Sequence, residues 1–545
     1  MKKKSLANGN GNNVPSNQCL ANELYAIAHF DPSQSDSTPY GPAKLSGKKP
    51  IRVFLEKQKI CYAGPINIMT LAASDSDYMW QVGTDKVSYL RKSDWKQVAS
   101  YEALKEATKG KYQTIPKRNF RKFAKLKAKN ENIDSMKEHL VECFGENYKD
   151  RTSNGLYALV SRDNVLYVKY GSGLFGFKVD DEKNPQNIKV KYDLAEPECT
   201  IADGNADAIL GLSMTYDGYI IVVFNNGVGI VDQHLTGEVT AFQKFGGCSP
   251  SEKEYITNSV AVDKDNGIYV ASSTYNGKDS IGYLRKLVWN APKGTGTGTL
   301  SVDWKAKYKT SDEDPPMIKG GNGTGATPTL MGFGDDDDKL VVITDGAKQM
   351  NLVAFWRDDI PYGFSNRIAG QIPVTCGLIG EEDTNEEEER WIQTEQSVVV
   401  SGYGAFVVNN IPDEWKEEIA DESGDLILQS SLIGPVFKGP VGVERFKWNT
   451  KDHEWKSEWR NADVTSSSMV PTYCATGNIV IVSGYNETDK MWQLVGLDWN
   501  SGEIVHQMNF GKKNYGNGAY SIPQYLEDGS LIFNSIVGPI LIPGE

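Results

Sequence analysis

From about residue 150 to the C-terminus the chain repeats one pattern of apolar and polar positions. A short apolar run gives way to Asp, Asn and Gly, a second apolar run follows, and an aromatic stands near a third. The cleanest copy is Asn258-Ser-Val-Ala-Val-Asp-Lys-Asp-Asn-Gly-Ile-Tyr-Val-Ala-Ser-Ser273. Apolar runs of this length around an Asp-Asn-Gly turn read as strands of a hairpin. Four such strands make an antiparallel sheet. Sheets recurring at intervals of about 45 to 75 residues predict an all-β fold, a β-propeller. Innermost strands are expected to start near Ile66, Asn154, Asp207, Asn258, Gly325, Glu395, Ser468 and Ala519. Eight starts favour eight blades, with seven the alternative.

Two regions break the pattern. Residues 99–149 are rich in Lys, Ala and Glu, and Tyr101-Glu-Ala-Leu-Lys-Glu-Ala and Ile133–Phe144 read as helices. Between them Phe120, Phe123 and Leu126 keep helical spacing inside a basic run, so the stretch is expected to be a small helical insertion on the rim. Its basic face reads as a solvated helix face, with contact to an acidic partner as the other possibility. Residues 1–20 are polar and Asn-rich and read as a disordered tail. The rest, 21–545, reads as one propeller. The final copy, Tyr520 to Ile542, is short of a strand. A closing strand is expected from the N-terminal segment of about 21–64, with 23–30 the expected donor.

Bulk properties narrow the function. The chain has 545 residues, 24% of them charged, with net charge −13. That balance disfavours nucleic acid, whose phosphates need a basic footprint. No run approaches the roughly 18 apolar residues of a membrane helix, so no membrane span is expected. The Met1-Lys-Lys-Lys start lacks a following apolar stretch. The expectation is a cytoplasmic protein, or a secreted one whose leader has been removed. Seven scattered cysteines form no CxxC motif and read as buried small hydrophobes. The acidic clusters Asp335–Asp338 and Glu386–Glu389 lack EF-hand spacing and read as solvated loops.

The repeats resemble two propeller groups. Asn258-Ser-Val-Ala-Val-Asp-Lys-Asp-Asn-Gly-Ile-Tyr-Val resembles blades of the SMP-30/gluconolactonase and paraoxonase-like group. Leu497-Asp-Trp-Asn-Ser-Gly-Glu-Ile-Val is similar to the quinoprotein (PQQ)-like repeat. The first resemblance implies a Ca²⁺ held at the axis by Glu, Asn and Asp from separate blades. Here the residues expected at inner-strand starts are Glu395, Asn258, Asp207 and Asn154. Such an ion would polarise a lactone or ester carbonyl, which makes a Ca²⁺-dependent hydrolase the first expectation. Asp345, at a strand end after the Gly320–Thr327 loop, is a candidate general base or axial metal ligand. His29 is also a candidate general base, if the N-terminal strand docks at a propeller face. The alternatives are a non-catalytic scaffold for a protein or glycan, and a quinoprotein-like oxidoreductase with its cofactor stacked on an axial Trp. A small-molecule ligand at one face is the expected partner of either enzyme.

Overall fold

The computed structural model describes residues 13–544, apart from 48, 74–75, 129–130, 195–208, 237–239, 247–252, 275–276, 294–296, 314, 316–318, 320, 380–389, 413–424 and 468. The described residues form eight sheets, each built on a four-strand antiparallel meander. This is the β-propeller expected from the repeat. The innermost strands are Asn67–Ala72, Leu159–Val160, Ile209–Met214, Ala261–Val262, Thr329–Met331, Val399–Ser401, Thr472–Cys474 and Gln524–Tyr525. Each begins a few residues after its expected start. Asn154, Asn258 and Glu395 therefore lie in the connections that lead into the strands.

Local chemistry explains the meanders. In the fourth sheet Asp263 Oδ1 accepts the N–H groups of Asp265 and Gly267, both at 2.9 Å. Asn266 takes the left-handed conformation at φ 61°. A Cβ on Gly267 would stand 2.5 Å from Asp263 Oδ2, so only glycine fits the turn. Large aromatics pack the sheets. Trp80, fully buried on the first sheet, donates to Asn164 Oδ1 on the second at 2.9 Å. Trp356, Trp492 and Trp499 are buried in the same kind of position, not on the axis.

The insertion holds α1 (Ala103–Ala107), α2 (Lys117–Lys125) and α3 (Ile133–Phe144). Phe120, Phe123, Met136, Leu140 and Phe144 form its buried seam. Arg151 closes it onto the first sheet by pairing with the Asp85 carboxylate. A fourth helix, α4 (Leu426–Leu432), belongs to the sixth sheet's second-to-third strand connection and is capped by Asp425. No helix among the described residues is long and apolar enough to cross a membrane.

The ring is closed by Lys59–Ile60, which pairs antiparallel with Gly538–Ile542 as the outer strand of the eighth sheet. The expected donor, 23–30, is not that strand. Tyr25, His29 and Phe30 all have positive φ, at 67°, 57° and 76°, which breaks an extended strand. That segment instead enters the channel. Carbonyls of Tyr25, Ala26, Pro32, Ser33, Ser35 and Asp36 accept from Ala72, Val160, Val262, Leu330, Val400 and Tyr473 on six innermost strands. Asn17 Nδ2 donates to Met214 O at 3.2 Å on the third sheet, and Tyr25 Oη to Tyr525 O at 2.5 Å on the eighth. The segment thus ties all eight sheets to one plug, whose residues Ser33 to Thr38 are fully buried.

Candidate functional site

A four-strand meander fixes which loops share a face. Sheet-to-sheet connections and second-to-third strand hairpins lie at one end of the channel, and first-to-second hairpins at the other. The plug enters and leaves by the second end. Arg162 N donates to Cys19 O at 2.8 Å on the way in, and Ala475 N to Thr38 O at 2.9 Å on the way out. Its tip forms the floor of a chamber that opens at the first end.

His29 stands on that floor. Its Nδ1 is 2.9 Å from both oxygens of Asp36, which is fully buried. A carboxylate only accepts, so Nδ1 carries a proton toward Asp36 and Nε2 is the ring nitrogen left free of that pair. Burial raises the Asp36 carboxyl above its ordinary range, and the His29 charge works against that rise. The Tyr157 ring stacks on the imidazole with centroids 6.0 Å apart. Asp31 braces the loop from below: Ser33 Oγ donates to it at 2.5 Å, and Ser35 Oγ donates to its second oxygen.

The chamber walls come from four sheet-to-sheet connections. Tyr157 Oη donates to Asn258 Oδ1, and Thr327 Oγ1 donates to the same oxygen at 2.8 Å. Asn258 Nδ2 donates to Gly325 O at 2.8 Å. Burial pushes the Tyr157 hydroxyl up to about 12, with the Glu395 and Asp36 carboxylates adding to the rise. Tyr157 is thus within electrostatic reach of both acids. Glu395 accepts from Gln396 Nε2 at 3.1 Å. Burial lifts its carboxyl well above the ordinary range, and Lys319 works against that lift.

Lys319 is the chamber's amine. Its Nζ donates to Gln393 Oε1 at 3.1 Å. Gln393 cannot turn away, because its Nε2 donates to Gly346 O at 2.8 Å and Ala347 O at 2.7 Å. Burial lowers the Lys319 amine to about 7, while Asp345 and Glu395 hold it up. Asp345 is fully buried and anchors its own hairpin, accepting Asn351 N and Asn351 Nδ2, each at 2.8 Å. Burial raises its carboxyl too. Tyr157, Asn258, Lys319 and Glu395 all remain only half-buried, so solvent reaches the walls.

Of the residues expected from sequence, His29, Asn258 and Glu395 meet in this chamber, and Asp345 adjoins it through Lys319. Asn154 does not join them. Its Nδ2 donates to Arg151 O at 3.1 Å and its Oδ1 accepts Gly171 N at 2.8 Å, so the amide caps local backbone. Asp207 lies outside the described residues. Tyr157, Lys319, Gln393 and Asp36 were missed because they sit in connections with no repeat to align them. The Gly-rich stretch after Lys319 was the one signal available.

Among the described residues, the expected calcium ligands Asn154, Asn258 and Glu395 do not gather at one point. Both ends of the Asn258 amide are satisfied by neighbours, and the nearest charge to Glu395 is the cation Lys319. Among the described residues no three His, Cys, Asp or Glu side chains converge as metal ligands. Among the described residues, Cys61, Cys143, Cys376 and Cys474 are buried free thiols and Cys19 is a part-buried one.

No known family model matches the chain. An uncharacterized protein of Archaeoglobus fulgidus is 30% identical over 397 residues, covering 71% of this chain and 69% of that protein. Among solved structures, the chain is similar to the quinohemoprotein alcohol dehydrogenase of Comamonas testosteroni, with TM-score 0.47, 10% identity, and 94% of this chain and 76% of that one covered. It is also similar to the Pan2 WD40 domain of Neurospora crassa, with TM-score 0.36, 7% identity, and 70% and 86% covered. Likenesses this distant bear on no residue of the chamber.

Proposed function

On the premise that this chain belongs to one family with the uncharacterized protein of Archaeoglobus fulgidus, we propose that its axial chamber hydrolyses a small lactone or ester by acid–base chemistry. The observation that carries the reading is the buried Asp36–His29 pair, set beneath Tyr157 at the floor of a polar chamber. With Nδ1 held by Asp36, His29 Nε2 takes a proton from water as the water oxygen bonds to the substrate carbonyl carbon. Asp36 stabilises the imidazolium that forms, the role a carboxylate plays behind a catalytic histidine. The carbonyl oxygen gains charge and takes a hydrogen bond from the Lys319 amine. The C–O bond then breaks, and His29 returns the proton to the leaving oxygen. No step runs through a metal ion, in keeping with the donor set. The resemblance of Asn258–Val270 to gluconolactonase-like blades supports the substrate class.

The test is turnover of a panel of aliphatic lactones and aryl esters by the full chain. His29→Ala and Asp36→Asn are expected to lower kcat/KM by about a hundredfold or more. The melting temperature of each variant is measured alongside, so that a folding defect is not read as chemistry. A panel without turnover, or rates unchanged in His29→Ala, overturns the reading and leaves the non-catalytic scaffold ahead.

A further inference from the structure

Away from the axis, a cleft of about 390 Å³ opens on the rim between the eighth sheet, the first sheet and the insertion. We propose that this cleft binds a small phosphate-bearing molecule. Its lining includes Lys86, Lys96 and Lys117, with Tyr62 and Trp95 as aromatic walls. The three lysines come from three elements: a hairpin of the first sheet, that sheet's outer strand, and the first turn of α2. Folding gathers them, since nothing in the sequence groups them.

Among the described residues, no carboxylate forms an ion pair with Lys86, Lys96 or Lys117. Among the described residues, the polar contact of Lys86 is Gln97 Oε1 at 3.5 Å, and Lys117 lies over the Tyr62 ring at 5.5 Å. The two carboxylates that feel Lys86 are already used. Asp85 pairs with Arg151 and accepts Ile115 N at 2.8 Å, and Glu102 pairs with Lys105 at 2.6 Å. Asp94, beside Trp95, pairs with Arg91 at 2.6 Å. The first turn of α2 holds no acidic residue. The Cys61 thiol reports the field. Burial raises it, and Lys86 and Lys117 both oppose that rise, so two ammonium groups from separate elements act on one point.

Three lysine ammonium groups brought to one cleft repel one another, and an anion seated among them relieves that repulsion. A phosphate offers several acceptor oxygens and at least one full negative charge, and lysine serves it as a point charge. Tyr62, flanked by Lys117 and by Arg121 at 5.8 Å, adds a flat apolar surface for the organic part of such a ligand. The volume falls within the range of small-ligand sites, roughly 300–1,000 Å³.

The experiment is calorimetric titration of the full chain with pyrophosphate at low ionic strength, where exposed charges are least screened. Saturable one-site binding is expected, weakened about tenfold or more in Lys86→Gln/Lys117→Gln. The control Lys264→Gln/Lys278→Gln removes two exposed lysines of the fourth sheet and is expected to bind as the parent does. Neither pair lies in a core, and equal melting temperatures verify that both variants fold. Binding that fails to saturate, or that weakens equally in both double variants, overturns the proposal.

Discussion

A single buried imidazole shows how far this protein has moved its side chains from their behaviour in water. His506 is fully buried in the seventh sheet, and its Nδ1 accepts Ser46 N at 3.1 Å. Burial lowers its pKa from 6.5 to about 4. The unfolded chain therefore takes up a proton near pH 6.5, whereas the folded chain resists it until about pH 4. Between those values the unfolded state binds more protons, so stability falls as the solution is acidified, by up to about 3 kcal/mol. His506→Gln is expected to flatten the acid limb of melting temperature against pH between 6.5 and 4. An acid limb as steep as the parent's would show that other groups set it. Lys319 follows the same linkage at higher pH. Its amine is lowered to about 7, so its destabilising effect is greatest below that value and fades as pH rises toward the unfolded lysine value.

The plug is the element on which the fold and the chamber both depend. Five of its residues, Tyr25, His29, Phe30, Gln34 and Asp36, adopt positive φ without being glycine. Each such conformation costs about 1–2 kcal/mol in isolation. The cost is offset by backbone hydrogen bonds to six inner strands, each contributing about 0.5–1.5 kcal/mol net. It is also offset by the Asp31 bonds to Ser33 and Ser35. The same strain turns His29 away from an extended path and toward Tyr157. Removing residues 1–38, while keeping the closing strand Lys59–Ile60, uncovers those inner edges. The melting temperature is expected to fall by about 10 °C or more, the scale set by several lost buried hydrogen bonds. A truncated chain that melts with the parent would mean the plug fills the channel without holding it.

At the scale of the whole molecule, closure rests on a very short seam. Besides the Lys59–Ile60 pairing, Cys61 N donates to Pro539 O at 3.1 Å and Ala63 N to Val537 O at 3.3 Å. These few bonds join the N-terminal segment to the C-terminal strand and complete the eighth sheet's four strands. Cys61→Pro removes one donor from the seam and is expected to destabilise by about 3 kcal/mol. Cys61→Ala keeps the N–H and is expected to cost less. Chemical denaturation of both variants separates the backbone bond from the side chain. Equal losses would place the contribution in the thiol and its packing.

The repeat of apolar runs and Asp-Asn-Gly turns marked the sheets and their favoured number, and helical spacing marked the insertion, because continuous apolar runs, left-handed turn residues and helical periodicity are local properties. Phe120 and Phe123 face the insertion's core for the same reason. The sequence also marked Asn258 and Glu395 as polar residues leading into inner strands, Asp345 at a strand end, and His29 in a segment able to dock at a propeller face. Tertiary structure alone decided that residues 23–30 enter the channel, because six inner-strand N–H groups lacking partners outcompete one outer edge for that segment. It alone decided that Asn154 caps backbone, since its strand starts later than the repeat suggests. The pairing of Asp36 with His29, the coupling of Lys319 to Glu395 and the meeting of three lysines on the rim depend on side chains from distant connections. Their spacing in the chain carries no period, so only the closed ring brings them together.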